Sequence, residues 1–288
     1  MYDARGSSDG GSGNLLFAIV AIVVVGLAFL VAWFGGGLFS GKSSTPIAEN
    51  VSLEGSVLAA RMSSPEEQRF LMALSTLDSG AYARLEREYT SAGDRDAQLK
   101  TVGEAAGRAV MGNVEHLAHI SADDINRMLG LALREVGEAR RADHELCRAS
   151  SYTGVQNMNQ QQRERWLAGH GLSLEAAYQD SVEWQADILE MIERAKRSPQ
   201  RHGKVTSQDE QAVQRLILSL SSDPAIMQLL MSNGDPSAMG NVNVCAMAET
   251  LLREVRALPD GTKARTWAAL FDTREFRQAM RQARQMGL

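Results

Sequence analysis

The chain reads as an all-α protein: one N-terminal transmembrane helix, a Gly/Ser linker, and a soluble part of about eight to ten helices. Three observations predict this. Residues Leu15 to Phe34 are apolar without interruption. Beyond them, helix-start signals recur ahead of apolar residues spaced for one helical face. No later segment sustains the alternation of β-branched and polar residues that a half-buried strand requires.

Residues 1–14 are rich in Gly and Ser and read as a disordered tail. The span from Leu15 through Ile22, Gly26 and Leu30 to Trp33 and Phe34 follows. A helix of that length is roughly 30 Å long, the thickness of a bilayer's hydrocarbon core. Cleavage as a signal peptide is not expected, because the apolar run exceeds the usual h-region. The residues before it carry Arg5 offset by Asp3 and Asp9, and its far end holds Trp33 and Phe34 in place of small residues. Both aromatics suit a bilayer edge. Residues 35–47 are a linker by composition, and 48–288 form the soluble part.

Sidedness is weakly written. Arg5 precedes the span and Lys42 follows it, so the positive-inside rule barely decides. The two cysteines, Cys147 and Cys245, are a candidate disulfide. A bridge there would belong in an oxidising compartment, which favours the C-terminal part lying outside the cytoplasm. The excess of Arg over Lys suggests a bacterial source, so the expected location is a bacterial inner membrane. Asn50-Val51-Ser52 fits a glycosylation sequon, which acts only in a suitable secretory compartment.

Within the soluble part, Ser64-Pro65-Glu66-Glu67 offers an N-cap, a proline at the first helical position and a capping-box Glu. Ser207 with Glu210 repeats the box without the proline, Asp272 with Glu275 repeats it again, and Ser121 and Ser173 stand ahead of carboxylates in expected first turns. Asp223-Pro224 and Asp235-Pro236 repeat the cap-proline pattern. The expected core includes Phe70, Leu74 and Leu77, then Ile125, Leu129, Ala132 and Val136. Leu174, Tyr178, Ile188, Ile192 and Ala195 continue it, followed by Val244, Met247, Ala248, Leu251, Val255 and Leu258. Residues 150–162 lack apolar periodicity, so a subdivision into 48–150 and 163–288 competes with one continuous core.

Motifs with catalytic meaning are absent or explained away. Gly36 to Ser43 spells G-x-x-x-x-G-K-S. A P-loop needs a strand before it and a helix after it, whereas an apolar helix enters here and Ser44-Thr45-Pro46 leaves. No nucleotide or other cofactor is therefore expected. His116 and His119, near Asp123 and Asp124, have metal-ligand spacing. The two acids are more simply first-turn residues, so no metal is expected. His144-Glu145-Leu146-Cys147-Arg148 begins like a zincin motif, but Arg148 takes the second histidine's place. A net charge of −5 disfavours general nucleic-acid binding.

At the C-terminus, Arg274, Arg277, Arg281 and Arg284 share one helical face beside Phe276, Met280 and Ala283. Such a face either grips an acidic partner or lipid, or is a solvated surface. The expected role of this single-pass tethered protein is protein interaction or envelope structure, binding other proteins of the envelope, rather than catalysis. The alternative is a tethered hydrolase of cell-wall or lipid material, its site assembled from scattered residues.

Overall fold

The computed structural model describes residues 56–141, 145–148, 174–231, 242–271 and 273, together with 162, 165, 166 and 169. The apolar span 15–34, the linker, the sequon, the P-loop-like run, residues 150–161 and the arginine face 274–284 lie outside the described residues. Among the described residues no helix is long and apolar enough to cross a membrane.

All regular structure described is helical. In chain order it comprises α1 (Val57–Arg61), α2 (Pro65–Leu77), α3 (Ser79–Ser91), α4 (Arg95–Gly112), a 3-10 helix at Val114–His119 and α5 (Ala122–Arg141). A second 3-10 turn at Glu145–Cys147 follows, then α6 (Leu174–Arg197), α7 (Ser207–Leu220), α8 (Pro224–Met231), α9 (Val244–Ala257) and α10 (Asp260–Phe271). The β structure described is an isolated bridge between Arg148 and Asn243. The all-α class is therefore what the chain adopts.

The chain divides into two compact units, and neither is one stretch of sequence. Of the described residues, the larger comprises those within 56–131, 162–205 and 259–273; the smaller comprises those within 132–148 and 206–258. The chain leaves the larger unit and returns to it twice.

The larger unit is organised around α6, whose Val182, Ala186, Leu189, Met191 and Ile192 are buried. It packs chiefly on α2, with α4 and the first 3-10 helix also against it. From α2 come Phe70, Leu71 and Leu74, each fully buried and each stabilising by about 1.5–3 kcal/mol. Helix α4 buries Ala105, Ala106 and Ala109, small side chains that let its neighbours α3 and α6 approach closely. Helix α10 docks on the first 3-10 helix, where the Trp267 indole donates to the Leu117 carbonyl at 2.7 Å.

Capping fixes where these helices begin. The Ser64 hydroxyl accepts from Glu67 N–H at 3.2 Å while the Glu67 carboxylate accepts from Ser64 N–H at 3.1 Å, and Pro65 opens the helix. Ser121 caps α5, accepting from Asp124 N–H at 3.0 Å. Asp78 and Asp94, caps that the periodicity alone did not flag, start α3 and α4.

The smaller unit contains α7, α8, α9, the second 3-10 turn and the C-terminal half of α5. Val213, Leu216 and Leu220 of α7 and Leu251 and Leu252 of α9 are buried, and the two helices pack together. The expected cap of α7 needs correcting. Thr206, not Ser207, is the N-cap, and Asp209, not Glu210, closes the box. Ser207 is already helical, and shifting the start by one residue buries Asp209 over its own cap.

Candidate functional site

Helix α6 carries a carboxylate in the middle of its apolar run. Asp187 is 1 % exposed, flanked along the helix by buried Ala186, Ile188 and Leu189. A charge in such a place requires partners. Arg69, reaching from α2, donates from Nη2 to Asp187 Oδ1 at 2.6 Å. Arg127, reaching from α5, donates to the same oxygen. Asp187 Oδ2 is buried and meets no donor among the described residues.

The network extends along α6. Arg69 also makes a two-pronged pair with Glu190, Nε to Oε1 at 2.9 Å and Nη2 to Oε2 at 2.8 Å. This is the fork geometry that distinguishes arginine from lysine. One turn on, Arg194 lies 3.9 Å from Glu190 and donates to Asp124 Oδ1 at 2.5 Å. The other Asp124 oxygen accepts from the Ser121 hydroxyl at 2.8 Å. Hydrogen bonding to Glu190, aided by Asp187, raises the Arg69 guanidinium above its ordinary value against the opposing effect of burial. Three arginines thus face three carboxylates. The cluster is electrically balanced and offers no free anion site; it ties α2, α5 and α6 together.

A second buried carboxylate lies in the same unit. Glu67, besides closing the α2 cap, accepts from the Tyr178 hydroxyl at 2.8 Å. Burial, and then the bond to Glu67, push the Tyr178 phenol up. Arg95 lies over the Tyr178 ring, 5.6 Å from its centroid, and donates to the Tyr89 hydroxyl at 2.9 Å.

The other buried acids among the described residues are Glu193 and Asp209. Glu193 accepts from Arg197 at 2.7 Å, and Asp209 accepts from the Thr206 backbone and hydroxyl at 2.8 and 2.7 Å. Each buried carboxylate described thus has at least one oxygen in an ion pair or a helix cap, while Asp187 Oδ2 is buried without a donor among the described residues. A general acid or base must instead present an oxygen to the substrate's proton.

The smaller unit holds the cysteines. Cys147 and Cys245 form a disulfide with Cα atoms 4.9 Å apart, and no cysteine is free. Both are buried, at 1 % and 7 % exposure. The bond fastens the second 3-10 turn to the first turn of α9, beside the Arg148–Asn243 bridge.

His116 and His119 both lie on the first 3-10 helix. His119 Nδ1 lies 3.2 Å from the Gln200 carbonyl, and burial holds the His116 imidazole below its ordinary value. Among the described residues no three His, Cys, Asp or Glu side chains are placed to share a metal ion. Asp124 is bound to Ser121 and Arg194. Arg69, Arg127, Asp187 and Glu190 were not singled out from sequence. The available signal was Asp187 itself, an acid within the run from Val182 to Ile192 that is otherwise largely apolar.

No protein-family model, no curated protein and no solved structure matches the chain.

Proposed function

We propose that the chain is a single-pass, membrane-tethered helical protein that acts by binding other proteins at the bilayer. The observation that carries this reading is the uninterrupted apolar run ahead of a Gly/Ser linker, which would hold the helical part beside a bilayer. Support for the tether is the apolar run from Leu15 to Phe34. Support for placing the C-terminal part outside the cytoplasm is the Cys147–Cys245 bond, since disulfides persist in oxidising compartments. The partner-binding face is assigned to Arg274, Arg277, Arg281 and Arg284, whose guanidinium forks suit carboxylates.

The test is crosslinking of the full chain in its own membranes, followed by alkaline carbonate washing and purification. A variant with all four of these arginines changed to glutamine is run beside the wild type. The expected result is a discrete partner that is retained by the wild type and weakened in the variant, with the far-UV dichroism unchanged. A wild-type chain that crosslinks to nothing overturns the binding role. A chain that carbonate releases overturns the tether.

A further inference from the structure

Helix α6 ends at Arg197, and Thr206 caps the start of α7. The stretch between them, residues 198–205, is mostly exposed and holds Arg201 and Lys204. Apart from these two and Arg148, which lies in the bridge to Asn243, every described Arg and Lys is in a helix. A peptide bond inside a helix is a poor protease substrate, because its N–H and C=O groups are already bonded to neighbouring turns. An exposed connection is where a folded chain is nicked.

The hydrogen bonds of this stretch single out one bond within it. Gln200 N–H donates to the His119 carbonyl at 3.0 Å. The His202 imidazole donates to the Ile120 carbonyl at 2.7 Å. These two contacts hold the chain on either side of Arg201. Thr206 is fixed by its own helix start, its N–H donating to Asp209 at 2.8 Å. Between the anchors, Gly203, Lys204 and Val205 make no hydrogen bond among the described residues. A protease takes its substrate extended, whereas Gly203 sits at φ +75°. Glycine crosses between the two conformations at little steric cost. Lys204 is exposed, and among the described residues it forms no ion pair.

We propose that Lys204–Val205 is a cleavage site for an endopeptidase that takes Lys or Arg into a carboxylate-bearing specificity pocket, as trypsin does, and that the product is a folded two-chain molecule. Water adds across the peptide bond: the Lys204 carbonyl carbon ends as a carboxylate, and the Val205 nitrogen leaves as an ammonium. The cut severs none of the hydrogen bonds above. The contacts to His119 and Ile120 stay with the first fragment, and the Thr206–Asp209 box stays with the second, so α7 keeps its start.

Neither fragment is free to leave. Cys147 belongs to the first and Cys245 to the second, so their disulfide joins the two covalently. In the smaller unit Arg140 also pairs with Glu249 at 2.8 Å, again across the cut in sequence. In the larger unit Trp267 donates to the Leu117 carbonyl at 2.7 Å, and Asn126 Nδ2 donates to Asp260 at 2.9 Å. Each unit therefore contains segments from both sides of the cut, held by contacts that do not pass through it. The inference does not depend on the tether.

The test uses the full chain in mild detergent with a trace of trypsin. Fragments are identified by N-terminal sequencing and run on denaturing gels with and without reductant. The expected result is a fragment beginning at Val205 that appears without urea, while tryptophan fluorescence is still native. The cut chain runs as one species without reductant and as two with it, and its far-UV dichroism matches that of the uncut chain. Lys204→Gln removes the Val205 fragment, and Arg201→Gln leaves it in place. A fragment beginning at His202 instead shows that the anchors do not choose the bond and overturns the assignment. A Val205 fragment that appears only as urea brings on the fluorescence transition belongs to the unfolded chain and overturns the site. Separation of the fragments without reductant, or loss of dichroism on cutting, overturns the two-chain product.

Discussion

Reducing the Cys147–Cys245 bond should destabilise the smaller unit and leave the larger one nearly untouched. The two cysteines are 98 residues apart. Closing a loop of that length removes chain entropy from the unfolded state worth about 4.7 kcal/mol at 25 °C in the loop-closure model. Reduction is a better perturbation than serine substitution, because the sulfurs are buried and a thiol behaves there as a small hydrophobe. With a urea m-value near 2 kcal/mol/M, the midpoint of the smaller unit should fall by about 2 M. The chain supplies its own means of separating the units. Trp166, Trp184 and Trp267 belong to the larger unit, Trp33 lies in the apolar span, and there is no other tryptophan. Tryptophan fluorescence therefore follows the larger unit, while far-UV dichroism follows the helices of both. In mild detergent, a dithiol reductant should move a dichroism transition and leave the fluorescence transition in place. A midpoint that does not move would show that loop closure contributes nothing. Two transitions that move together would refute the independence of the units. Two free thiols counted without reductant would show that the bond does not form.

Two further outcomes follow from the buried polar groups of the larger unit. Arg69→Ala leaves Asp187 with Arg127 and should cost about 1–2 kcal/mol, whereas Arg69→Ala/Arg127→Ala strands a buried carboxylate and should cost about 3–5 kcal/mol. Adding Asp187→Leu to the double variant should recover most of that loss in urea titrations followed by tryptophan fluorescence, and a triple variant no more stable than the double would contradict the account. The Tyr178 phenol holds its proton more tightly folded than unfolded, so its contribution is complete below about pH 10 and declines above it by up to about 1.4 kcal/mol per pH unit. Tyr82, also raised chiefly by burial, adds to the same decline; Tyr178→Phe should make the alkaline loss of stability shallower, and an unchanged slope would remove Tyr178 as its source.

Much of the helical architecture is readable because its causes are local. Ser64, Pro65 and Glu67 stop and start a chain within four residues, and the structure uses all three. The apolar spacing after Ser121 likewise names Ile125, Leu129, Ala132 and Val136, all buried. The error at α7 was also local. Thr206 and Ser207 are both competent caps, and their ranking depends on which start seats Asp209 over the helix end and Val213 and Leu216 in the core. The division into units was not readable in this way. It depends on which helices pair, and the chain returns to the larger unit after long excursions.

The same contrast explains why the ionic cluster escaped the sequence. Glu190 and Arg194 are four residues apart, so a helix alone brings them near each other. Arg69 and Asp187 are 118 residues apart, and nothing at either position names the other. Only the burial of Asp187 makes the partnership necessary, and burial was itself legible, since Val182, Ile188, Leu189 and Ile192 surround it in sequence. An acid in such a run must either find cations or carry out chemistry in a dry place. Sequence cannot choose between these. The fold supplies the cations, delivering Arg69 from α2 and Arg127 from α5 to one carboxylate oxygen. An engineered chain that kept α6 but lost both arginines would leave that carboxylate buried without a cation, and burial would then favour its protonated form.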